Sequence, residues 1–221
     1  MFIAVPAPSL AVHAPTKSCT DGKPQDFSVA ASAVLRSPDC RWLIAYKADS
    51  DRAPDIHLNQ PLADNIAVVA NHSTAQVVAS FSMERSASVY WLEDRRHVIV
   101  NYFEGSGSTR PIAILLPQDH SSRRGNAVID LAKLLYPDVL KRIHKRSRQV
   151  YHYYVYFVED RGNRIVISAL PEFVINGDSG PGDGRCLIYS IDKTTFRYRF
   201  VRGWRDTDEH PCPQNRDEHR D

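Results

Sequence analysis

Apolar runs of strand length alternate with polar turns along most of the chain. The runs are rich in Val, Ile, Tyr and Phe and are bounded by Gly, Pro, Asn, Asp and Ser, which is the pattern of β-strands joined by turns. The predicted strands span residues 27–35, 42–47, 66–70, 76–81, 88–92, 97–102, 111–116, 150–158, 164–170, 185–191 and 195–201. The chain is therefore predicted to be mainly antiparallel β.

One stretch, residues 126–146, has the spacing of a helix instead. Apolar residues recur there at helical intervals, at Val128, Leu131, Leu134 and Leu135. Pro137 lies inside this stretch, so we expect it either to kink the helix or to begin a second one. The predicted fold class is α+β with this one helical segment, in a single domain over residues 15–205.

The two ends of the chain differ from this domain in composition. Residues 1–14 are apolar and carry small residues at Val12 and Ala14, as the last part of a signal peptide does, although no Lys or Arg precedes Lys17. A disordered N-terminus is the alternative interpretation. Residues 206–221 have no apolar periodicity and are predicted to form a polar tail. We expect a periplasmic or secreted protein.

The cysteines support an oxidising compartment. Their number is even, and no CxxC spacing typical of a metal site occurs among Cys19, Cys40, Cys186 and Cys212. Three pairings are possible, and the economical one joins Cys19 to Cys40 and Cys186 to Cys212. Each such disulfide closes a loop of about 20 to 27 residues and stabilises the fold by on the order of 3 kcal/mol. Structural disulfides are typical of exported proteins.

Charge gives no general reason to expect a polyanionic partner, because Lys plus Arg outnumber Asp plus Glu only by 28 to 26. The segment KRIHKRSRQVYHYYVYF, at residues 141–157, does combine basic and aromatic residues. The two classes follow one another there and are not interleaved, so a helix end before a core strand explains them better than nucleic-acid binding does. We expect no nucleic acid partner. We also expect no membrane span, because no later run approaches about 18 apolar residues.

Three of the predicted turns have similar sequences. They are SPDCRWLIAY at residues 37–46, WLEDRRHVIVNY at 91–102 and FVEDRGNRIVIS at 157–168. All three resemble the strand-turn-strand unit of TolB-type β-propellers, and the chain is similar to exported bacterial proteins of unknown function. The resemblance implies a meander of hairpins or a partial propeller-like assembly. The intervals between the three exceed the roughly 40 to 50 residues of a propeller blade, which favours the meander.

The glycine of that unit is replaced in this chain. Cys40 and Arg95 stand at its position in the first two copies, and Gly162 comes one place late in the third. Glycine is used there because it adopts a positive φ without steric cost. Either the turn type differs, or a residue with a side chain is held in a costly conformation.

The stretch NGDSGPGDGRC contains the strongest resemblance to a catalytic motif. Gly177 to Gly180 resembles the GDSG around the nucleophile of trypsin-like serine proteases, which implies Ser179 as nucleophile with His72 and Asp119, or Asp94, as its partners. Pro181 stands where that family has a second glycine, and a substantial helix does not suit its paired β-barrels. A serine hydrolase is therefore the alternative prediction, and the main prediction assigns no catalytic residue.

The same loop also offers oxygen ligands for a cation. Asn176, Asp178 and Asp183, with Asp192 further on, could bind calcium, but they lack the spacing and distal Glu of an EF-hand. Gly and Asp serving turn chemistry is the simpler explanation. No cofactor or metal is predicted, with calcium as the alternative.

The loop FEGSGSTR is the predicted binding loop, through Gly105, Ser106, Gly107 and Ser108. It is polar and follows a predicted strand, so it could insert into a partner's cleft, although an ordinary hairpin connection is the simpler interpretation. The sequence therefore favours an exported binding protein with a protein partner in the envelope or exterior. An inhibitor or immunity protein against a secreted enzyme is one form of this hypothesis.

Overall fold

The structure is a computed structural model that describes residues 25–27, 33–46, 66–70, 77–81, 87–103, 108–117, 128–143, 150–173 and 184–213. The described residues form strands and one helix. In chain order they are β1 (Gln25–Phe27), β2 (Ala33–Arg36), β3 (Trp42–Tyr46), β4 (Ile66–Ala70), β5 (Val77–Phe81), β6 (Ala87–Trp91), β7 (His97–Phe103), β8 (Ser108–Leu115), β9 (Val128–Asp130), α1 (Leu131–Arg142), β10 (Val150–Arg161), β11 (Arg164–Phe173), β12 (Arg185–Asp192) and β13 (Tyr198–Arg205).

Most strands belong to one large sheet. Its order is β1-β6-β7-β8-β10-β11-β12-β13, and β9 pairs with β8 off this path. Neighbours are antiparallel except β8 and β10, which pair in parallel at Tyr153 with Ser108 and at Tyr154 with Thr109. The predicted fold class is confirmed, since the described chain is mainly antiparallel β with one helix and its sheets do not close into a barrel.

A second, four-stranded sheet covers one face of β6, β7 and β8. It is the antiparallel meander β2-β3-β4-β5. Trp42 and Ile44 of β3 pack with Val98 and Val100 of β7 in the core between the two sheets. These apolar side chains are at most 2% exposed. Their removal from water is the main stabilising contribution of this contact.

The other face of β6, β7 and β8 lies against a second core. Ile99 of β7 packs there with Leu135 of α1 and Ile167 of β11. The rings of Tyr90 on β6 and Phe157 on β10 are 4.9 Å apart between centroids, although β7 and β8 separate these strands in the sheet. The large sheet therefore curls over this core. Burial on both faces explains why residues 97–102 of β7 are all buried and the strand does not alternate between buried and exposed positions.

Helix α1 begins later than the sequence pattern predicts. The prediction of a helical segment over residues 126–146 is wrong at its start, because Val128–Asp130 forms β9 on the edge of β8. Asp130 is the N-cap, and its carboxylate accepts the Lys133 N–H at 2.9 Å. Pro137 neither ends nor divides the helix, which continues to Arg142. Residues 126–127 and 144–146 lie outside the described residues.

The strand predictions agree with the structure in location, although the one over residues 195–201 begins too early, because β13 begins at Tyr198. Two other differences depend on strand pairing. The predicted strand over residues 27–35 is not one strand, because β1 pairs with β6 in the large sheet and β2 pairs with β3 in the small one. The short strand β9 was not predicted, since its three residues continue into the helical pattern. In both cases the partner strand decides the structure, and local sequence does not identify it.

The similar turns place side chains where glycine is expected. Cys40 has φ 56° and Arg95 has φ 55°, so a non-Gly residue occupies the left-handed region in both turns. Gly162 has φ 59° in the third, and Phe196 in the β12–β13 turn also has a positive φ, of 53°. Asp39 and Asp94 accept backbone N–H groups two residues later, which satisfies each turn locally. The second alternative, a costly backbone conformation, is the one observed.

The disulfide predicted between Cys186 and Cys212 is present, with Cα atoms 5.2 Å apart. Cys40 is also disulfide-bonded, and its predicted partner Cys19 lies outside the described residues. Residues 206–213 belong to the predicted polar tail. Through Cys212 this segment packs on the outer face of β11 and β12. Trp204 Nε1 donates to the His210 carbonyl at 2.9 Å in the same segment.

Candidate functional site

A surface cavity lies between α1 and the beginnings of β8 and β10. Its volume is about 320 Å³, and its lining is almost entirely apolar. The lining residues are Ser108, Arg110, Ala132, Lys133, Tyr136, Pro137 and Tyr153. Small-molecule sites begin at roughly 300 Å³, so the cavity has room for one aromatic side chain or a ligand of similar size.

One carboxylate, that of Asp130, lies beside two cationic side chains at the rim of this cavity. Asp130 makes a close ion pair with Arg110, and Lys133 Nζ lies 3.7 Å from the same carboxylate. The Lys133 side chain is 77% exposed, and the first turn of α1 contains no acidic residue. The positive end of the helix dipole lies at the same rim. The rim consequently favours an anionic group beside the apolar floor.

Two tyrosines form one wall of the cavity. The rings of Tyr136 and Tyr153 are 5.2 Å apart between centroids, and the Tyr153 hydroxyl donates to the Ala132 carbonyl at 3.4 Å. Burial, followed by the charge of nearby groups including Asp130, raises the pKa of Tyr153 well above its usual value. Its hydroxyl therefore stays protonated and can serve as a neutral donor or acceptor.

An exposed apolar strip of α1 continues the cavity. Tyr136 is 39% exposed and Leu140, one turn later, is 42% exposed. Side chains four residues apart lie on the same face of a helix. The pair extends the apolar surface of the cavity along the outside of the helix, with Lys133 and Lys141 beside it.

A second cluster lies at the other end of β10. Here the β6–β7, β10–β11 and β12–β13 turns meet, and they bring together Asp94, His97, Asp160 and Lys193, which we call the buried charge cluster. Lys193 is 3% exposed, and its Nζ lies 2.5 Å from Asp160 Oδ1 and 3.4 Å from Asp94 Oδ2. Seven residues of β10 separate Asp160 from Tyr153, about 23 Å along an extended strand, so this cluster and the cavity are separate sites.

The pKa of Asp94 is lowered within the buried charge cluster. Burial by itself raises its pKa, but the hydrogen bonds from the His97 ring and the Arg96 N–H, with the charge of Lys193, outweigh burial and lower it. His97 Nδ1 is 2.7 Å from Asp94 Oδ2. The Asp94 carboxylate thereby joins the histidine to the lysine.

Most site residues predicted from the sequence lie outside the described residues. Ser108 of the predicted binding loop is described, and it lines the cavity. The predicted site residues that lie outside the described ranges are Gly105, Ser106 and Gly107 of that loop, Ser179, His72 and Asp119 of the alternative hydrolase site, and Asn176, Asp178 and Asp183 of the alternative calcium site. Within the described ranges, no group of three or more His, Cys, Asp and Glu side chains could hold a metal ion.

The sequence analysis predicted neither the cavity nor the buried charge cluster. Tyr136 and Lys133 lie within the predicted helical segment, but no functional role was predicted for them or for Lys193. The sequence does contain one signal, because Asp94 and Asp160 occupy the same place in two of the three similar turns. Asp94 caps its own turn, whereas Asp160 accepts the Glu93 N–H of the neighbouring hairpin at 3.0 Å. Their meeting depends on the curl of the sheet.

The chain was compared with protein-family models and with curated proteins. No protein-family model matches the chain, and no curated protein matches it. Among the helices of the described residues, none is long and apolar enough to cross a membrane. The function must therefore be argued from the geometry of the two sites.

Proposed function

We propose that the protein is an extracytoplasmic binding protein that receives an apolar side chain of a protein partner in the cavity beside α1. The observation that carries this proposal is the cavity itself, with an apolar floor, a volume near 320 Å³ and a rim that carries the 77% exposed side chain of Lys133. Interfaces are commonly organised around one buried anchor in such a pocket. The Cys186–Cys212 disulfide supports an oxidising compartment.

The residues that line the cavity and its rim indicate which side chains a partner segment should carry. An aromatic anchor fits the volume and can stack on Tyr136 and Tyr153. A flanking Asp or Glu would approach Lys133, whose side chain is 77% exposed. Exposed Leu140 provides further apolar contact along the helix. The preferred ligand is therefore an acidic segment with one aromatic side chain, and an inhibitory or immunity role would follow if that segment belongs to a secreted enzyme.

Short peptides of defined sequence test the proposal. Capped Asp-Phe-Asp, Lys-Phe-Lys and Asp-Ala-Asp would be titrated into the ¹⁵N-labelled protein while backbone amide shifts are recorded. We expect Asp-Phe-Asp to shift the amides of Ala132, Lys133 and Tyr153 at millimolar concentration, and the other two peptides to be at least several-fold weaker. Equal responses to all three, or no shift at the cavity, would contradict the proposal.

Two helix variants provide the matched comparison. Lys133→Glu reverses the charge at the rim and should weaken Asp-Phe-Asp while strengthening Lys-Phe-Lys. Lys141→Glu makes the same change on α1 at a residue that does not line the cavity, and it should have a smaller effect. If both variants respond alike, general electrostatic attraction and not the cavity is responsible.

The alternative prediction of a serine hydrolase has its own test. A fluorophosphonate probe should not label the protein if binding is its function. Labelling that is lost in Ser179→Ala would favour the hydrolase and would leave the peptide titration to decide whether the cavity also binds.

A further inference from the structure

The buried charge cluster places an amine directly against a carboxyl group. Lys193 Nζ and Asp160 Oδ1 are 2.5 Å apart, closer than the roughly 2.7 Å of ordinary charged hydrogen bonds. Both atoms are shielded from solvent, and among the described residues neither has a hydrogen bond of aligned geometry. A well-formed buried ion pair normally has such bonds. The amine and the carboxyl group are therefore in contact without an aligned hydrogen bond between them.

The surroundings supply the other parts of an acyl transfer. The Glu93 N–H donates to Asp160 Oδ2 at 3.0 Å, where it would stabilise negative charge that develops on that oxygen. Asp94 Oδ2 lies 3.4 Å from Lys193 Nζ and can carry a proton from the amine. His97 Nδ1, 2.7 Å from the same oxygen, holds Asp94 in place.

The backbone fixes both reacting groups. Lys193 N–H donates to the Asn163 carbonyl at 3.0 Å, so the β12–β13 turn is tied to the β10–β11 turn. Asp192 accepts the N–H groups of Thr194 and Thr195 and locks the turn that carries the lysine. Groups held in this way react as if at very high effective concentration.

We propose that Lys193 and Asp160 become joined by an intramolecular isopeptide bond. A proton passes from the Lys193 ammonium to Asp94, and the neutral amine attacks Asp160 Cγ, forming the C–N bond while Glu93 N–H stabilises the charge on Oδ2. The amine gives up a second proton, Oδ1 takes up both protons and leaves as water, and Asp94 returns to its carboxylate form. The net change is one ammonium and one carboxylate to one amide and one water, so no co-reactant is needed.

Burial favours the product. Lys193 is 3% exposed and Asp160 is 11% exposed, so both charges lose most of their hydration in the folded chain. The amide removes both charges and releases a water molecule. The bond would link the β10–β11 and β12–β13 turns covalently, independently of any ligand in the cavity.

Peptide mass spectrometry tests the bond directly. After reduction and alkylation, trypsin would release residues 149–161 and 186–197 as one branched species, lighter than the sum of the two peptides by one water and uncut after Lys193. Peptide analysis is independent of where the mature chain begins. Quantitative recovery of two separate peptides, with cleavage after Lys193, from the folded wild-type protein would overturn the proposal.

Variants identify the groups involved. Lys193→Arg keeps the positive charge but lacks the amine nucleophile, so the branched species should disappear. Lys133→Arg makes the same change at an exposed lysine that also faces an aspartate, and it should retain the full yield. Asp94→Asn should slow formation at least tenfold in freshly purified protein. Full-speed formation in Asp94→Asn would overturn its role as proton carrier.

Discussion

Removal of the Cys186–Cys212 disulfide should destabilise the protein by an amount that follows from its position. The two cysteines are 26 residues apart in sequence. A cross-link over this length removes about 12 cal/mol/K of chain entropy from the unfolded state, or about 3.5 kcal/mol near room temperature. Globular domains are stable by about 5 to 15 kcal/mol, so this is a large fraction of the total.

The variant that tests this is Cys186→Ala combined with Cys212→Ala, which leaves no unpaired thiol at this site. Urea unfolding followed by far-UV circular dichroism should show a midpoint lower by roughly 1 to 3.5 M, given slopes of about 1 to 3 kcal/mol/M. Asp208→Ala, an exposed change in the same C-terminal segment, is the control and should leave the midpoint within error.

The hydrogen bonds of residues 206–213 indicate how this segment behaves when the disulfide is removed. Ser168 Oγ donates to the Pro213 carbonyl at 2.5 Å, and Cys212 N–H donates to Asp206 Oδ1 at 2.5 Å, so some anchoring remains without the disulfide. We therefore expect the folded sheet to persist in the variant. A loss of stability below about 1 kcal/mol would refute the entropic argument, because it would mean that the unfolded chain gains little freedom when the cross-link is removed.

Three further predictions concern single residues. Arg95→Gly should raise the free energy of unfolding by about 1 kcal/mol, because glycine adopts φ 55° without steric cost. Arg96→Gly in the same turn is the control and should lower the free energy of unfolding. The urea midpoints of the two variants are compared with that of the wild-type protein. Because the pKa of Asp94 is lowered in the folded protein, its carboxylate contributes to the free energy of unfolding above the ordinary carboxyl pKa of 3.8, and this contribution is lost as the pH falls below that value. In Asp94→Asn the free energy of unfolding should therefore fall less steeply with decreasing pH in the acid range. Leu135→Ala should cost about 2 to 5 kcal/mol in thermal or urea unfolding because the side chain is fully buried, while Leu140→Ala, 42% exposed, should cost little.

The cavity and the buried charge cluster make different demands on these experiments. Cavity variants such as Lys133→Glu change an exposed side chain and should leave stability nearly unchanged. Variants of Lys193 change a buried group and should affect stability whether or not the isopeptide bond forms. Only the branched peptide distinguishes a covalent bond from an ion pair.

Local sequence determined the secondary structure because its signals are short in range. Alternation, apolar runs and turn residues predicted strands at β3, β4 and β7 with bounds close to those observed, since a strand and its turn are specified within about ten residues. The same local chemistry indicated the unusual backbone at Cys40 and Arg95. It misplaced the start of α1, because β9 exists only by pairing with β8.

The candidate sites could not be predicted in this way. The cavity joins Ser108, Lys133 and Tyr153 from three elements, and the buried charge cluster joins Asp94 to Lys193 across almost a hundred positions of sequence. Their proximity results from the curl of the large sheet around the core that contains Ile99 and Leu135. Sequence determined which groups can titrate, bond or pack, and long-range packing alone decided which of them meet, because apolar burial is non-directional and depends on the whole fold.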